Sequence, residues 1–432
     1  MRYPAFIESD LEFPEFCRVR MHYRAEQIKD IHAAVRREME AVLPASGIRA
    51  GDRVAVGVGS RGIDQLGALV RAVCARLKAL GAQPFIVPAM GSHGGATAEG
   101  QAAVLQRLAV TAESCGAPVV SSMEAVRIGT VLGEVPLYFS RDALAADHSI
   151  VVNRIKPHTK FVGPVESGIL KMLCVGMGKH QGAVAYHTWA MKHGFFPLLE
   201  AMGQAIAAAA NFRFGLAVVE NAYDKVTAVA GVPADRILAE ETRLNALAKA
   251  HMPRLPFTEL DVLVVGRIGK EISGAGMDPN VTGRAYDLME SDFSGRLKAK
   301  RVVILNLSAH TGGNAIGLGN ADIITEKVFQ ALDYEATLMN ALTSLSLHKA
   351  FIPVRLPNDR KAIQAGLTTI GPTPVSKARV AVIRDTLHLS EFWASRALRE
   401  ELACVPEAEV GENIPLAFDA AGNLLLPDPE AS

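Results

Sequence analysis

The sequence predicts an α/β protein, and three observations carry the prediction. Short apolar, β-branched runs alternate with segments of helical spacing along most of the chain. Each run ends in a polar loop before the next helix begins, and many of these loops carry glycine. The proline-marked stretch Met252-Pro-Arg-Leu-Pro256 then divides the alternation in two. A strand–loop–helix order of this kind is that of a parallel, Rossmann-like sheet. We therefore expect two Rossmann-like α/β domains, residues 1–255 and 256–415, with a tail over 416–432. The site is expected in the cleft between the two domains.

Length and composition agree with two buried cores. The chain has 432 residues, 49% of them hydrophobic. Lys plus Arg equals Asp plus Glu at 45 each, so nothing in the balance favours nucleic acid or an acidic membrane surface. Cys17, Cys74, Cys115, Cys174 and Cys404 form no CxxC spacing, which argues against both a disulfide scaffold and a structural zinc site. The first residues are too acidic and too broken for a secretory signal, and no apolar run is long enough to span a membrane. A cytoplasmic setting is the expectation.

In chain order, residues 1–20 read as an edge strand or arm. Residues 25–42 have helical spacing, with Ile28, Ile31, Val35, Met39 and Val42 on one face. A strand over 52–58 runs into the polar turn Ser60-Arg61-Gly62. A helix over 63–80 ends at Gly81, a C-cap. The strand 85–88 leads to the turn Met90-Gly-Ser-His93-Gly-Gly, and a helix begins at Thr97. A strand pair over 119–128 and 131–139 precedes the buried strand 149–152. Residues 189–210 read as one alanine-rich helix, 215–220 as a strand, 221–231 as a hairpin and 236–251 as a helix. In the second half, strands are expected over 260–266, 302–307 and 378–384. Helices are expected over 322–332, 335–345 and 389–402. Two glycine-rich loops lie at 267–284 and 309–320, and the tail after Cys404 reads as partly ordered.

The chemistry concentrates in residues 153–187, which follow the run Ser149-Ile-Val-Val152. Polar residues thus begin at a strand's C-terminal end, where open α/β sheets place ligands. Lys171 lies in the apolar neighbourhood Ile169-Leu-Lys-Met-Leu173, which can lower a lysine's pKa and make it a nucleophile. If the sheet is parallel, Arg61, His93, His158, Lys171 and His187 come from loops on one edge and can face one crevice. Two histidines on opposite sides of a carbon suit a two-base racemisation. An arginine fork suits a carboxylate. A lysine with a further histidine suits an attached, metal-bearing cofactor, because neutral imidazole is a good nickel ligand. Each residue alone has a plainer reading: a helix cap for His93, a structural histidine for His158, an ion pair with Asp64 for Arg61, a snorkelling lysine for Lys171 and a core-facing histidine for His187. The other histidines, His180 apart, lack such a context.

In order and placement these motifs resemble the nickel-pincer lactate racemase family over roughly residues 50–320. The matching features are Ser60-Arg61-Gly62, Gly91-Ser-His93, Pro157-His158, Gly168-Ile-Leu-Lys171 and a later histidine, His187, with His180 as runner-up. The resemblance implies an isomerase, a racemase or epimerase of a 2-hydroxy acid. It implies that His93 and His158 are the two bases and that Arg61 holds the substrate carboxylate. Lys171 would carry a nickel-pincer nucleotide that reversibly accepts the α-hydride, His187 would ligate its nickel, and Ser60 would help hold it. Cofactor-making proteins are implied partners, and a homodimer is one assembly open to the chain. Where the family carries a Tyr-Gln pair and a lysine after an Asp-x-Asn motif, this chain has Asp278-Pro-Asn280 followed by Val-Thr-Gly-Arg284. Asp278 and Asn280 then fall to cofactor binding and Arg284 or Lys270 to substrate binding, and a 2-hydroxy acid other than lactate is indicated. They also read as turn formers. Two alternatives stand beside this reading. One is a metal-dependent hydrolase or lyase built on a histidine cluster with Glu166 as the close acid. The other is a non-catalytic relative that binds a hydroxy or sugar acid.

Overall fold

A strand covered on both faces must be apolar throughout, and the runs that the sequence marks as strands are of this kind. In the computed structural model, which describes residues 2–60, 62–285, 293 and 297–425, they become the centres of two main sheets. The strands are β1 (Phe16–Met21), β2 (Arg53–Val58), β3 (Gln83–Pro88), β4 (Ala125–Val131), β5 (Val135–Ser140), β6 (His148–Arg154), β7 (Phe212–Glu220), β8 (Val226–Pro233), β9 (Glu259–Val265), β10 (Lys298–Ile304), β11 (Ile323–Thr325), β12 (Val354–Leu356), β13 (Val380–Ile383), β14 (Glu391–Ser395) and β15 (Ala408–Ile414). The chain divides into two compact units, Arg24–Met252 and the combination of Met1–Tyr23 with Pro253–Ser432.

In the unit Arg24–Met252 the sheet order is β3-β2-β6-β7-β8. β3, β2, β6 and β7 pair in parallel, and β8 returns antiparallel to β7. One face is covered by the helices Ile31–Ser46 and Leu66–Ala79. Their Val35, Met39, Leu69, Val73 and Leu77 pack with Val54, Val56, Ile150 and Val152 in one core. The helix Ile31–Ser46 starts later than its apolar spacing suggested, because Asp30 caps it by accepting the Ala33 N–H. The hairpin β4–β5 forms a separate small sheet. The single helix expected over 189–210 is instead two, Lys179–His193 and Phe195–Ala209. Gly194 breaks them apart at φ 79 and ψ 155.

The other unit carries a sheet of order β12-β11-β10-β9-β13-β14-β1-β15. β9, β10, β11, β12 and β13 are parallel, while β14, β1 and β15 are antiparallel to their neighbours. The expected edge strand of residues 1–20 is therefore an interior strand, and it belongs with the second half of the chain. The helix expected over 389–402 is β14 followed by the short helix Arg399–Ala403. Residues 322–332 give β11 before the helix Glu326–Gln330. The segment after Cys404 forms β15 and a hairpin of Ala417–Phe418 with Leu424–Leu425. All five cysteines are free. No helix among the described residues is long and apolar enough to cross a membrane.

Candidate active site

The parallel strands of the Arg24–Met252 unit bring three loops to one sheet edge. β2 ends at Val58 and leads to Ser60, β3 ends at Pro88 and leads to His93, and β6 ends at Arg154 and leads to His158. The chain passes from β2 outward to β3, then returns to the other side of β2 as β6. The boundary between β2 and β6 is the point where such sheets leave a ligand crevice.

The His93 loop is held from several directions. The Ser60 hydroxyl hydrogen-bonds the His93 Nδ1. His93 does not cap the following helix; Thr97 does, accepting the Gly100 N–H at 3.1 Å. The buried Gln101 amide donates back to the Gly91 carbonyl at 2.8 Å and the His93 carbonyl at 3.3 Å. Gly91 has φ +60, and a Cβ there would meet Val175 Cγ1 at 3.1 Å, so glycine lets the loop lie close on the next segment. The fully buried Lys179 donates its ammonium to the Pro88 carbonyl at 2.6 Å, and the Ser92 hydroxyl bonds the His180 Nδ1 at 2.9 Å.

The His158 loop closes around a carboxylate. Glu166, with its side chain fully buried, accepts the His158 N–H at 2.6 Å and the Gly163 N–H at 3.1 Å, and pairs with Lys249 at 2.5 Å. The Lys160 backbone N–H donates to His158 Nδ1 at 3.1 Å. A backbone N–H can only donate, so His158 Nδ1 is the acceptor and a neutral ring carries its proton on Nε2. The rings of His158 and Phe161 lie 4.7 Å apart, and Phe161 stacks on Phe195 at 5.4 Å. The Lys160 ammonium sits 4.9 Å above the Phe195 ring.

Lys171 ends the short helix Ile169–Lys171 and is followed directly by the π-helical turn Met172–Met177. Single π-helical turns often mark functional sites. The helix start is fixed by Glu241, buried on the helix Ile237–His251, whose carboxylate accepts the Ile169 and Leu170 N–H groups. A Cβ on Gly168 would fall 1.8 Å from the Glu241 Oε1, so only glycine admits that carboxylate. Burial pushes the Glu241 carboxyl up to about 7 against those two backbone donors.

His187 lies on the helix Lys179–His193, edge to face with Tyr186 at 5.5 Å. Its Nδ1 is buried and has no hydrogen-bond partner among the described residues. Burial, then the charges of Lys160 and Lys171, lower its pKa from 6.5 to about 3. It is therefore a neutral imidazole that feels the charge of Lys171, the lysine expected to carry a cofactor. That donor suits a soft-to-borderline metal held by a cofactor attached nearby. His180 has its Nδ1 on Ser92, so His187 is the better fit. No group of three or more His, Cys, Asp and Glu that could hold a metal by themselves occurs among the described residues.

Arg61 is outside the described residues. Lys270, Asp278, Asn280 and Arg284 belong to the other unit. Asp278 caps the turn Pro279–Thr282 and accepts the Asn280 backbone and side-chain N–H groups at 2.9 and 3.0 Å. The turn-forming reading of these two fits this geometry. Arg284 is engaged internally, donating to the Ala299 and Lys300 carbonyls and pairing with Asp322 at 2.9 Å. A guanidinium so engaged is not set out to grip a substrate. Lys270 is exposed, with its backbone N–H on Thr311 Oγ1 at 3.3 Å. Lys160, Lys179, Gln101 and Glu241 were not anticipated. His148 and His193 pair with Asp52 and Glu134 and are structural.

The sheet edge and its loops define the class: an α/β protein with two histidine loops and a lysine–histidine segment at a switch point. Residues 17–194 match the family model described as lactate racemase N-terminal domain. Among solved structures, the lactate racemase apoprotein from Thermoanaerobacterium thermosaccharolyticum aligns with 78% of this chain and 94% of its own. The identity is 12% and the TM-score 0.46, a likeness too loose to transfer any residue's role. No curated protein matches the chain.

Proposed function

We propose that the protein is an isomerase that racemises or epimerises a 2-hydroxy acid with a nickel-pincer nucleotide. The observation that carries this is His187, whose buried, neutral, unpartnered Nδ1 lies in the field of Lys171 and Lys160. Lys171 would carry the nucleotide and His187 would hold its nickel. When bound, this group supplies the reversible acceptance of a hydride from the substrate's α-carbon.

The other tasks fall to the chain itself. His93 can keep a proton on Nδ1 against the Ser60 oxygen, which leaves Nε2 as a base for the substrate hydroxyl. His158, with Nδ1 accepting from Lys160, offers Nε2–H to a substrate oxygen in its resting form. In those tautomers the two neutral rings would present an acceptor and a donor, respectively, to a substrate. Lys160 adds a buried positive charge that favours an anionic substrate. The hydrolase reading needs Glu166 as a ligand or base. Glu166 is instead enclosed by two backbone donors and Lys249, so that reading loses its acid.

The test is to express the chain with a nickel-pincer biosynthetic set and assay a panel of 2-hydroxy acids by chiral chromatography. Interconversion is expected, with retention of part of an α-deuterium label in the product. Washout of the label would instead indicate proton abstraction at carbon. His93→Ala and His158→Ala should each lose more than about two orders of magnitude with unchanged circular dichroism. Protein that carries no added mass on Lys171, no nickel and no activity on the panel would overturn the proposal.

A further inference from the structure

Apolar exposure is concentrated in one segment of the second unit, Met1–Tyr23 with Pro253–Ser432. Among the described residues seventeen large apolar side chains are exposed, and nine of them lie between Tyr334 and Val354. No other stretch of that length holds more than two. The helix Tyr334–Thr343 carries Tyr334, Leu338 and Leu342 at a spacing of four, which sets them in one row along its surface, with Met339 beside Leu338. The chain then turns back on this helix. The Ser346 N–H donates to the Ala341 carbonyl at 2.9 Å, and Ala341 and Ala350 share a small core with Ile316. Leu347 opens the short turn Leu347–Ala350 and Phe351 follows it, so helix and turn form one packed body with exposed apolar side chains on both.

Area and composition say what would cover this face. The nine side chains are each 36% to 65% exposed, and together they present on the order of 800 Å². The largest apolar patch of a typical monomer is about 300 to 600 Å², whereas one partner's share of a standard interface is about 800 Å². Between Tyr334 and Val354 the only Asp, Glu, Lys or Arg residues are Glu335 and Lys349, and Lys349 is buried. The cores of protein interfaces are likewise poor in charge and rich in aromatic residues and Met. A helix that lies on a membrane carries Lys and Arg on its polar face, and Tyr334–Thr343 has neither. Leu345 holds φ +53, where glycine or asparagine is the ordinary choice, so an exposed leucine stands at this turn against its backbone preference.

We infer that this face is a dimer interface, covered by the same helix and turn of a second copy of the chain. No apolar patch of comparable size occurs elsewhere among the described residues, so between two copies only the patch itself can cover it with apolar surface. Contact of a patch with itself is isologous and closes after two copies, rather than growing into a fibre. The helices are the elements that meet, not the edges of the sheets. β12 is the last strand on its side of the sheet, but Pro353 and Pro357 bracket it, and proline lacks the N–H that strand addition uses. The inference concerns the second unit alone and does not rest on the roles given to His93, His158, Lys171 or His187.

Interfaces of standard size range from micromolar to picomolar affinity, so at about 50 µM the full chain should sediment at twice its 46.1 kDa. Met339→Glu and Leu342→Glu each bring like charges together across the twofold, and each should weaken the dimer by about a hundredfold or more. Both positions are exposed in the single chain, so the urea midpoint of the monomer should stay that of the parent. Leu132→Glu, at an exposed leucine of the other unit, should leave the dimer unchanged. Hydrogen peroxide reads the face directly, because it converts accessible methionine to the sulfoxide. Met339 is 55% exposed and Met191 43%. Peptide mapping should find Met339 slower to oxidise than Met191 in the parent, and no slower in Leu342→Glu. A chain that stays at 46.1 kDa up to about 50 µM overturns the inference, and flotation of that monomer with phosphatidylcholine vesicles would assign the patch to a lipid surface. A dimer that withstands both substitutions, with Met339 oxidised no slower than Met191, uses another face and overturns it equally.

Discussion

Lys179 is fully buried, adopts φ +55 and gives its ammonium to the Pro88 carbonyl, just before the His93 loop. Burial lowers its pKa from 10.5 to about 8, with the charge of Asp142 pulling the other way. A lysine lowered in the fold contributes stability that is present above the unfolded value and lost as pH falls through the folded one. This group should therefore make the folded state gain between pH 8 and 10.5, by at most about 1.4 kcal/mol per pH unit. In urea unfolding, the wild type should gain on Lys179→Met between about pH 7.5 and about pH 9.5; a pH-independent difference between the two would refute this. Nothing in the sequence marked Lys179, because a buried charge is made by partners distant in the chain. His93, His158 and Lys171 were legible as candidates for the opposite reason. They follow strand ends or a glycine, and such positions are visible in a single stretch of sequence.

The short helix Ile169–Lys171 has three residues, too few to be stable from propensity alone. It is set in place by Glu241, whose two oxygens take the first two N–H groups. Glu241→Gln keeps the volume but leaves one acceptor where two are used. A loss of about 1 to 3 kcal/mol is expected, read as a lower urea midpoint. Gly168→Ala should cost at least as much, since its Cβ would overlap that carboxylate. Parent-like midpoints in both variants would mean that the cap does not matter. The pairing was hidden in the sequence because it joins residues some seventy positions apart. The elements of the first unit were largely readable, since each parallel strand is a continuous apolar run. β14 was not. Leu389, Phe392, Leu398 and Leu402 have helical spacing, yet the segment pairs with β13 and β1, and tertiary pairing overrides the local pattern.

At the scale of the whole molecule, the division after Met252 was visible as a proline-marked stretch, whereas the return of the first 23 residues to the second unit was not. No local signal reveals which strand a distant segment will join. β1 lies between β14 and β15, so removing residues 2–22 should expose both of those strands and unfold the second unit. The Arg24–Met252 unit contains its own sheet and core and should survive. Limited proteolysis of the truncated chain is expected to leave a resistant fragment of that unit, and resistance of residues 253–425 would contradict the expectation. The same arrangement carries a consequence for synthesis. Phe16 pairs with Ser395, roughly 380 residues later in the chain. At about 5 to 20 residues per second, β1 leaves the ribosome on the order of tens of seconds before its partners exist. During that wait the first unit can fold behind it, while β1, with Arg18 and Arg20 alternating with Cys17, Val19 and Met21, has both edges open. In a newly made chain β1 thus stays unpaired until β14 and β15 arrive, after the whole of the first unit has been made.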